Sequence, residues 1–219
     1  MNNNSIKNVT EKSTWTSPIE CKNVIAELKR MTKRKKDLRT YLICVIGMNT
    51  GLRISDILAF KKSQLKFVKM NTMLRIVEQK TRKPRMIPIS KNLYDSYQYF
   101  LSHHEYSESG KLSEYIFAGR KVRKNGINNM TTSSAAKLVR TAIHEAFESL
   151  GRGDELVGKV FCNHSLRKTY CYQLLNDKTQ PVQIEKISKM LGHRSIATTL
   201  TYLGITEGSI EKEIGFRCI

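Results

Sequence analysis

An apolar stripe of helical period in the second half of the chain restricts its fold more than any other feature. Between residues 134 and 150, Leu138, Val139, Ala142, Ile143, Ala146 and Phe147 recur at steps of three and four, and Gly151 follows as a stop. Side chains at that spacing share one side of a helix, so the segment predicts a core helix that needs partners to cover it. Similar stripes occur elsewhere. Val24, Ile25 and Leu28 follow Ser17-Pro18-Ile19-Glu20, which has the form of a capping box with proline at the first helical position, so ordered structure is expected to begin there. An apolar segment over residues 38–48 closes near Gly51, and a further helix is expected from Ser55 with Ile57, Leu58 and Leu65 inward. Ser90 reads as the N-cap of a helix that uses Leu93, Tyr94, Tyr97, Phe100 and Leu101. Asn163 reads as the cap of another, with Leu166, Tyr170, Leu174 and Leu175 on one face. Residues 182–191 form the next, ended by Gly192, and Ser195 caps a short one that carries Tyr202.

Strand signals are confined to one place. Residues 73–77 and 86–89 are apolar with β-branched members, and the charged stretch between them contains Pro84, a pattern that predicts a β-hairpin. Residues 102–132 carry little periodicity and are expected to be mostly loop. The resulting fold class is α+β, mainly α-helical, with one small antiparallel sheet. The organisation expected is a disordered polar tail over 1–16, one domain over 17–203 and a C-terminal tail over 204–219.

Composition narrows the partners. The chain has 219 residues, 40% of them hydrophobic, which suits one domain with a sizeable core. Lys and Arg number 38 against 19 for Asp and Glu, a formal net charge of +19. Such a field favours a polyanion, because each cation set against a phosphate also releases a condensed counterion. A merely solvated basic surface is the plainer alternative, and charge alone selects no reaction. No run approaches the ~20 apolar residues of a membrane span, and no apolar secretory segment opens the chain, so a cytoplasmic protein is expected. Five cysteines without paired close spacing indicate neither a disulfide framework nor a zinc site.

Candidate chemistry is spread along the chain. His164 and Arg167 stand three apart where a helix is expected to begin, and the free N–H groups of that turn already favour an anion. Taken alone, such a pair is more often a surface His and Arg beside a core helix. In Leu191-Gly192-His193 a histidine follows a helix stop, and Tyr202 comes nine positions later. Upstream lie Gly51-Leu52-Arg53-Ile54-Ser55-Asp56, and Lys80 in the hairpin. The order is therefore Arg, Lys, His-x-x-Arg, His, Tyr.

This order, with its local contexts Gly-Leu-Arg, His-x-Leu-Arg-x-Thr and Leu-Gly-His, closely resembles the tyrosine recombinase, or phage integrase, family from about residue 17 to Tyr202. The resemblance implies a DNA strand-exchange enzyme whose catalytic residues are Arg53, Lys80, His164, Arg167, His193 and Tyr202. Arg53 and Arg167 would grip the scissile phosphate, because two planar guanidiniums can neutralise charge gathering in a pentavalent transition state. His164 and His193 would add hydrogen bonds or assist proton movement. Lys80 would protonate the departing 5′ oxygen while Tyr202 attacks phosphorus and becomes joined to the 3′ phosphate. Neither a metal nor another cofactor is implied. Asp56 matches an acidic position that orients neighbouring groups, although a solvated acid at a helix N-terminus fits equally. Lys83 and Arg85 either replace Lys80 or contact backbone phosphates, and Arg120 and Lys124 form a basic loop for DNA binding.

Further implications concern assembly. The partner would be a double-stranded recombination site, with homotetramers on DNA, monomers in solution, and accessory DNA-bending proteins as further candidates. The tail over 204–219 resembles the segment that members dock onto a neighbouring protomer. Most members carry a helical DNA-binding domain ahead of the catalytic one, and these residues leave no room for it; the expectation is either a short member of the fimbrial-switch invertase type or a piece of a longer protein. Two alternatives stand beside this reading: a type IB topoisomerase-like enzyme, and a regulator that occupies a recombination site without cutting it. Whether the outcome is integration, excision or inversion lies outside the sequence.

Overall fold

A computed structural model describes residues 16–35, 37–66, 68–119 and 129–205. The expected tail over 1–16 lies outside the described residues except for Thr16, as do Arg120, Lys124 and the C-terminal tail beyond residue 205. Among the described residues the elements run α1 (Lys22–Arg34), α2 (Leu38–Thr50), α3 (Ile54–Leu58), α4 (Lys62–Leu65), β1 (Met73–Val77), β2 (Pro84–Pro88), α5 (Lys91–His103), α6 (Glu108–Leu112), α7 (Thr132–Ser149), α8 (Asn163–Leu175), α9 (Ile184–Leu191) and α10 (Ile196–Leu203). This is the mainly helical α+β architecture that the apolar periods predict.

The hydrophobic core divides in two, and that division positions the site. The larger part collects α1, α2, α3, α5 and α7 around Phe100, Phe117, Phe147 and Leu42, all nearly inaccessible to solvent. The smaller part packs Cys171, Ile187 and Leu191 against Tyr170, Leu174, Val182, Tyr202 and Leu203. Helix α8 is the wall between them. Its Leu166 enters the larger core against Gly47 of α2, so close that a Cβ on Gly47 would stand 2.8 Å from the Leu166 Cβ. Its Cys171 faces the smaller one, so the expected single face of Leu166, Tyr170, Leu174 and Leu175 is split between two cores. Among the described residues no helix is long and apolar enough to cross a membrane.

Several local expectations change in detail. Residues 17–20 are not helical: Ser17 donates to the Val160 carbonyl at 2.7 Å and Ile19 to the Thr169 hydroxyl at 2.8 Å, and α1 starts at Lys22. Those long-range bonds satisfy N–H groups that a capping box would otherwise have used. Cys162, not Asn163, caps α8, its thiol facing the His164 N–H while Ser165 returns the bond to the Cys162 N–H at 3.0 Å. Leu101 is exposed, and α6 forms a short helix inside the stretch expected to be loop. The caps at Ser90 and Ser195 form as expected. In the hairpin, Met73 pairs with Pro88 and Val77 with Pro84, which puts both prolines at strand ends, where a missing N–H costs no ladder bond.

Candidate active site

Helix α2 ends at Gly51 in the left-handed region, φ +60°. A side chain there would be strained, and its Cβ would lie 2.5 Å from Cδ1 of Tyr170. From this turn the chain passes to Arg53, the N-cap of α3. Arg167 arrives from α8, almost wholly buried, and donates from Nη1 to the Gly51 carbonyl at 2.7 Å and from Nη2 to the Leu191 carbonyl at 2.9 Å. Arg53 reaches the same Leu191 carbonyl from Nη2 at 3.4 Å. Two guanidiniums remote in sequence thus meet at one oxygen. Leu191 is the last residue of α9, where carbonyls lack intrahelical partners and the helix dipole is negative, so cations gather there.

Because Gly51 supports Arg167 through its carbonyl and Arg53 through its turn, Gly51→Ala is expected to destabilise the protein by about 2–4 kcal/mol, from left-handed strain plus overpacking against Tyr170. Urea unfolding checks this, and a midpoint equal to that of the unchanged protein would contradict it.

The hairpin supplies a second layer. Glu78, nearly inaccessible, accepts from Arg53 Nη1 at 2.9 Å, from Arg85 Nη1 at 3.4 Å and from the Thr81 hydroxyl at 2.8 Å. Burial works to raise its pKa, but the Thr81 hydroxyl and the two arginines outweigh it and hold the carboxyl below its usual range. Arg85 also donates to the Thr50 carbonyl at 2.6 Å, which ties the hairpin to α2. Asp56 is buried and accepts from the Gln79 N–H at 2.8 Å, which pins the residue immediately before Lys80. Burial raises the Asp56 pKa, and its second oxygen has no hydrogen-bond partner. Lys80 and Lys83 are both exposed on the hairpin turn.

His164 sits at the open side of the cluster. Surrounding protein atoms first, and then the charges of Arg167, Lys168, Arg53 and Lys80, push its pKa below the usual value. His193 follows the left-handed Gly192, φ +71°, and its Nδ1 lies 2.9 Å from the hydroxyl of fully buried Thr199. Burial, Arg167 and Arg53 lower its pKa, which favours the neutral imidazole. Its ring meets Tyr202 edge-on, with centroids 5.4 Å apart. The Tyr202 hydroxyl is buried without a hydrogen-bond partner. Burial pushes its pKa upward, and the positive charges of Arg167 and Arg53 oppose that rise.

The fold therefore brings Arg53, His164, Arg167, His193 and Tyr202 of one chain together, with Lys80 on the adjoining turn. Sequence reasoning missed Glu78, Lys168, Thr199 and the Leu191 carbonyl. Only Glu78 left a trace, as an acid just ahead of the run Lys80, Arg82, Lys83 and Arg85. Among the described residues no three His, Cys, Asp or Glu side chains gather in a group that could hold a metal ion. Chemically the cluster is an anion cradle with a buried phenol beside it.

Comparison with known proteins agrees. The model of the phage integrase family matches residues 16–208. The chain is 31% identical over 192 residues to the probable integrase/recombinase YoeC of Bacillus subtilis, covering 87% of this chain and 90% of that protein. It is 26% identical to the tyrosine recombinase XerA of Pyrococcus horikoshii over 86% of this chain but 58% of that protein. Among solved structures, a XerA recombinase superposes with a TM-score of 0.64 at 19% identity, over 94% of this chain and 65% of that one. The XerH recombinase in a post-cleavage complex with a palindromic difH substrate gives 0.62 at 20% identity, over 90% and 52%.

Proposed function

Since this chain belongs to the phage integrase family of tyrosine recombinases, we propose that it cleaves and rejoins DNA strands at a specific site through a 3′-phosphotyrosyl bond on Tyr202. The observation that carries the proposal is the meeting of Arg53 and Arg167 at the Leu191 carbonyl, with Tyr202 beside them in the same chain.

The residues divide the work. Arg53 and Arg167 hold the non-bridging oxygens of the scissile phosphate and stabilise the charge of the pentavalent state. The incoming phosphate competes with Glu78 for Arg53, so the carboxylate keeps that guanidinium oriented until DNA arrives. His164 and neutral His193 complete the cradle as hydrogen-bond partners of the phosphate. Lys80, placed by the bond that the preceding residue, Gln79, donates to Asp56, protonates the 5′ oxygen as it leaves. Lys83, Arg120 and Lys124 contact backbone phosphates. The phosphodiester energy is kept in the tyrosyl ester, so a 5′ hydroxyl from another strand can attack it and complete the exchange. Tyr202 acts on the phosphate held by its own chain, and the segment over 204–219 docks a neighbouring protomer in a tetramer on DNA.

Relatives named recombinase or integrase favour strand exchange over topoisomerase-like relaxation. The test is a pool of nicked duplexes of randomised sequence, in which loss of the short fragment beyond the nick prevents religation. A denaturation-resistant adduct is expected, with the DNA on the peptide containing Tyr202. Absence of any adduct, or DNA on another residue, would overturn the proposal.

A further inference from the structure

A phenol that attacks phosphorus must first lose its proton, and the buried position of the Tyr202 hydroxyl restricts where that proton can go. Arg167 and Arg53 have no lone pair to offer. The Cys171 thiol keeps its own proton, since burial pushes it up to about 11. His193 is engaged with Thr199 through Nδ1 and meets the Tyr202 ring edge-on.

Lys168 remains. It follows Arg167 on α8 and is only 4% exposed, whereas a lysine ordinarily keeps its ammonium in water. Its Nζ stands over the Tyr202 ring, 4.9 Å from the centroid. Proton transfer needs a shift of the flexible four-carbon stem that carries Nζ from the ring face to the hydroxyl. We propose that Lys168 is the proton acceptor for Tyr202 in the cleavage step, an inference that rests on the recombinase reading above.

The step balances as follows. The Tyr202 O–H bond breaks and its proton joins the lone pair of neutral Lys168; the phenolate oxygen bonds phosphorus; the bond from phosphorus to the 5′ oxygen breaks, and that oxygen takes its proton from Lys80. The new ammonium then lies beside the tyrosyl ester and returns the proton when a 5′ hydroxyl reverses the reaction. Burial supports the role. It pulls Lys168 down to about 8, against the opposing influence of Cys162, so a useful fraction is neutral near neutral pH. The other charged or titratable groups near this pair are His164, Arg167 and Cys171 of α8, His193 ahead of α10, and Arg53. The two histidines lie below their usual range, so a rate limited by either would rise at lower pH than one limited by Lys168.

The experiment measures the single-turnover rate of adduct formation on a nicked duplex recovered from the randomised pool. For the unchanged protein the rate is expected to rise with pH up to about 8 and then level, as neutral lysine becomes abundant. Lys168→Met and Lys168→Arg are each expected to lose about 100-fold or more, the usual worth of a proton-transfer group, although arginine keeps the cation over the ring. Lys168→His should recover part of the loss with the rise moved to lower pH. A duplex carrying a 5′-bridging sulfur at the scissile position, whose thiolate leaves without a proton, should rescue Lys80→Ala but not Lys168→Met. Three results would each overturn the proposal: Lys168→Met within a few-fold of the unchanged rate, Lys168→Arg with an unchanged pH profile, or full rescue of Lys168→Met by sulfur. No adduct from the unchanged protein would instead refute the recombinase reading on which this one rests.

Discussion

Tyr202→Phe is expected to abolish the covalent adduct while leaving the fold at least as stable as before. Loss of chemistry follows because no other atom of that ring can attack phosphorus. The stability follows from burial: the hydroxyl lies inside the smaller core with no hydrogen-bond partner, so the folded state carries its desolvation cost without compensation. Removing an unpaired buried polar group recovers on the order of 1 kcal/mol, equivalent to roughly 2–4 °C in Tm for a chain of this size. The His193 edge contact and the Lys168 charge over the ring survive in phenylalanine, so the packing is kept. Thermal unfolding read alongside the adduct assay checks both halves. An adduct that persists would show that the nucleophile lies elsewhere, and a Tm several degrees lower would mean that the hydroxyl has a partner in solution.

Arg167→Ala is expected to damage the same site with the opposite effect on stability. Cleavage should fall by two to three powers of ten or more, because the lost guanidinium neutralises charge that develops only in the transition state. Stability should fall too, by about 2–4 kcal/mol, since Arg167 joins α2, α8 and α9 through charge-assisted bonds. Without it the Gly51 carbonyl loses that donor, and among the described residues the Leu191 carbonyl keeps the longer bond from Arg53. Arg167→Lys keeps a positive charge but cannot span both carbonyls with one ammonium, so it should restore part of the stability and little of the rate. DNA affinity, carried mainly by contacts spread over the basic surface, should change only a few-fold. Equal losses in binding and cleavage would place Arg167 in general affinity rather than in catalysis.

The contrast shows how much of the site can be read from the chain. Helices α2, α5, α7, α9 and α10 follow from apolar spacing and from stops or caps at Gly51, Ser90, Gly192 and Ser195, because a 3.6-residue period and a left-handed glycine are local properties. The five residues that the fold gathers were legible for a different reason: their types and order match a family pattern. What the chain did not disclose depends on distance through space. The Ser17-Pro18-Ile19-Glu20 pattern predicts an earlier helix start, but α1 begins at Lys22 because Ser17 and Ile19 bond to Val160 and Thr169, partners that no local rule anticipates. The direction of Arg85 is set by Glu78 and the Thr50 carbonyl, which no local pattern anticipates. Glu78 itself has no motif, and its importance comes from the arginine that folding lays against it.

Periodicity, capping and residue chemistry are properties of short segments, so the class of the fold, the order of the helices and the identity of the cationic, imidazole and phenolic groups follow from the chain. That two guanidiniums share the Leu191 carbonyl, that Glu78 holds one of them, and that Lys168 lies buried over the Tyr202 ring came with packing. Burial and charge proximity are set by which distant segments pack together. Here α8 stands as a wall between two cores, and the side chains at that seam acquire an environment that none of them has in the extended chain.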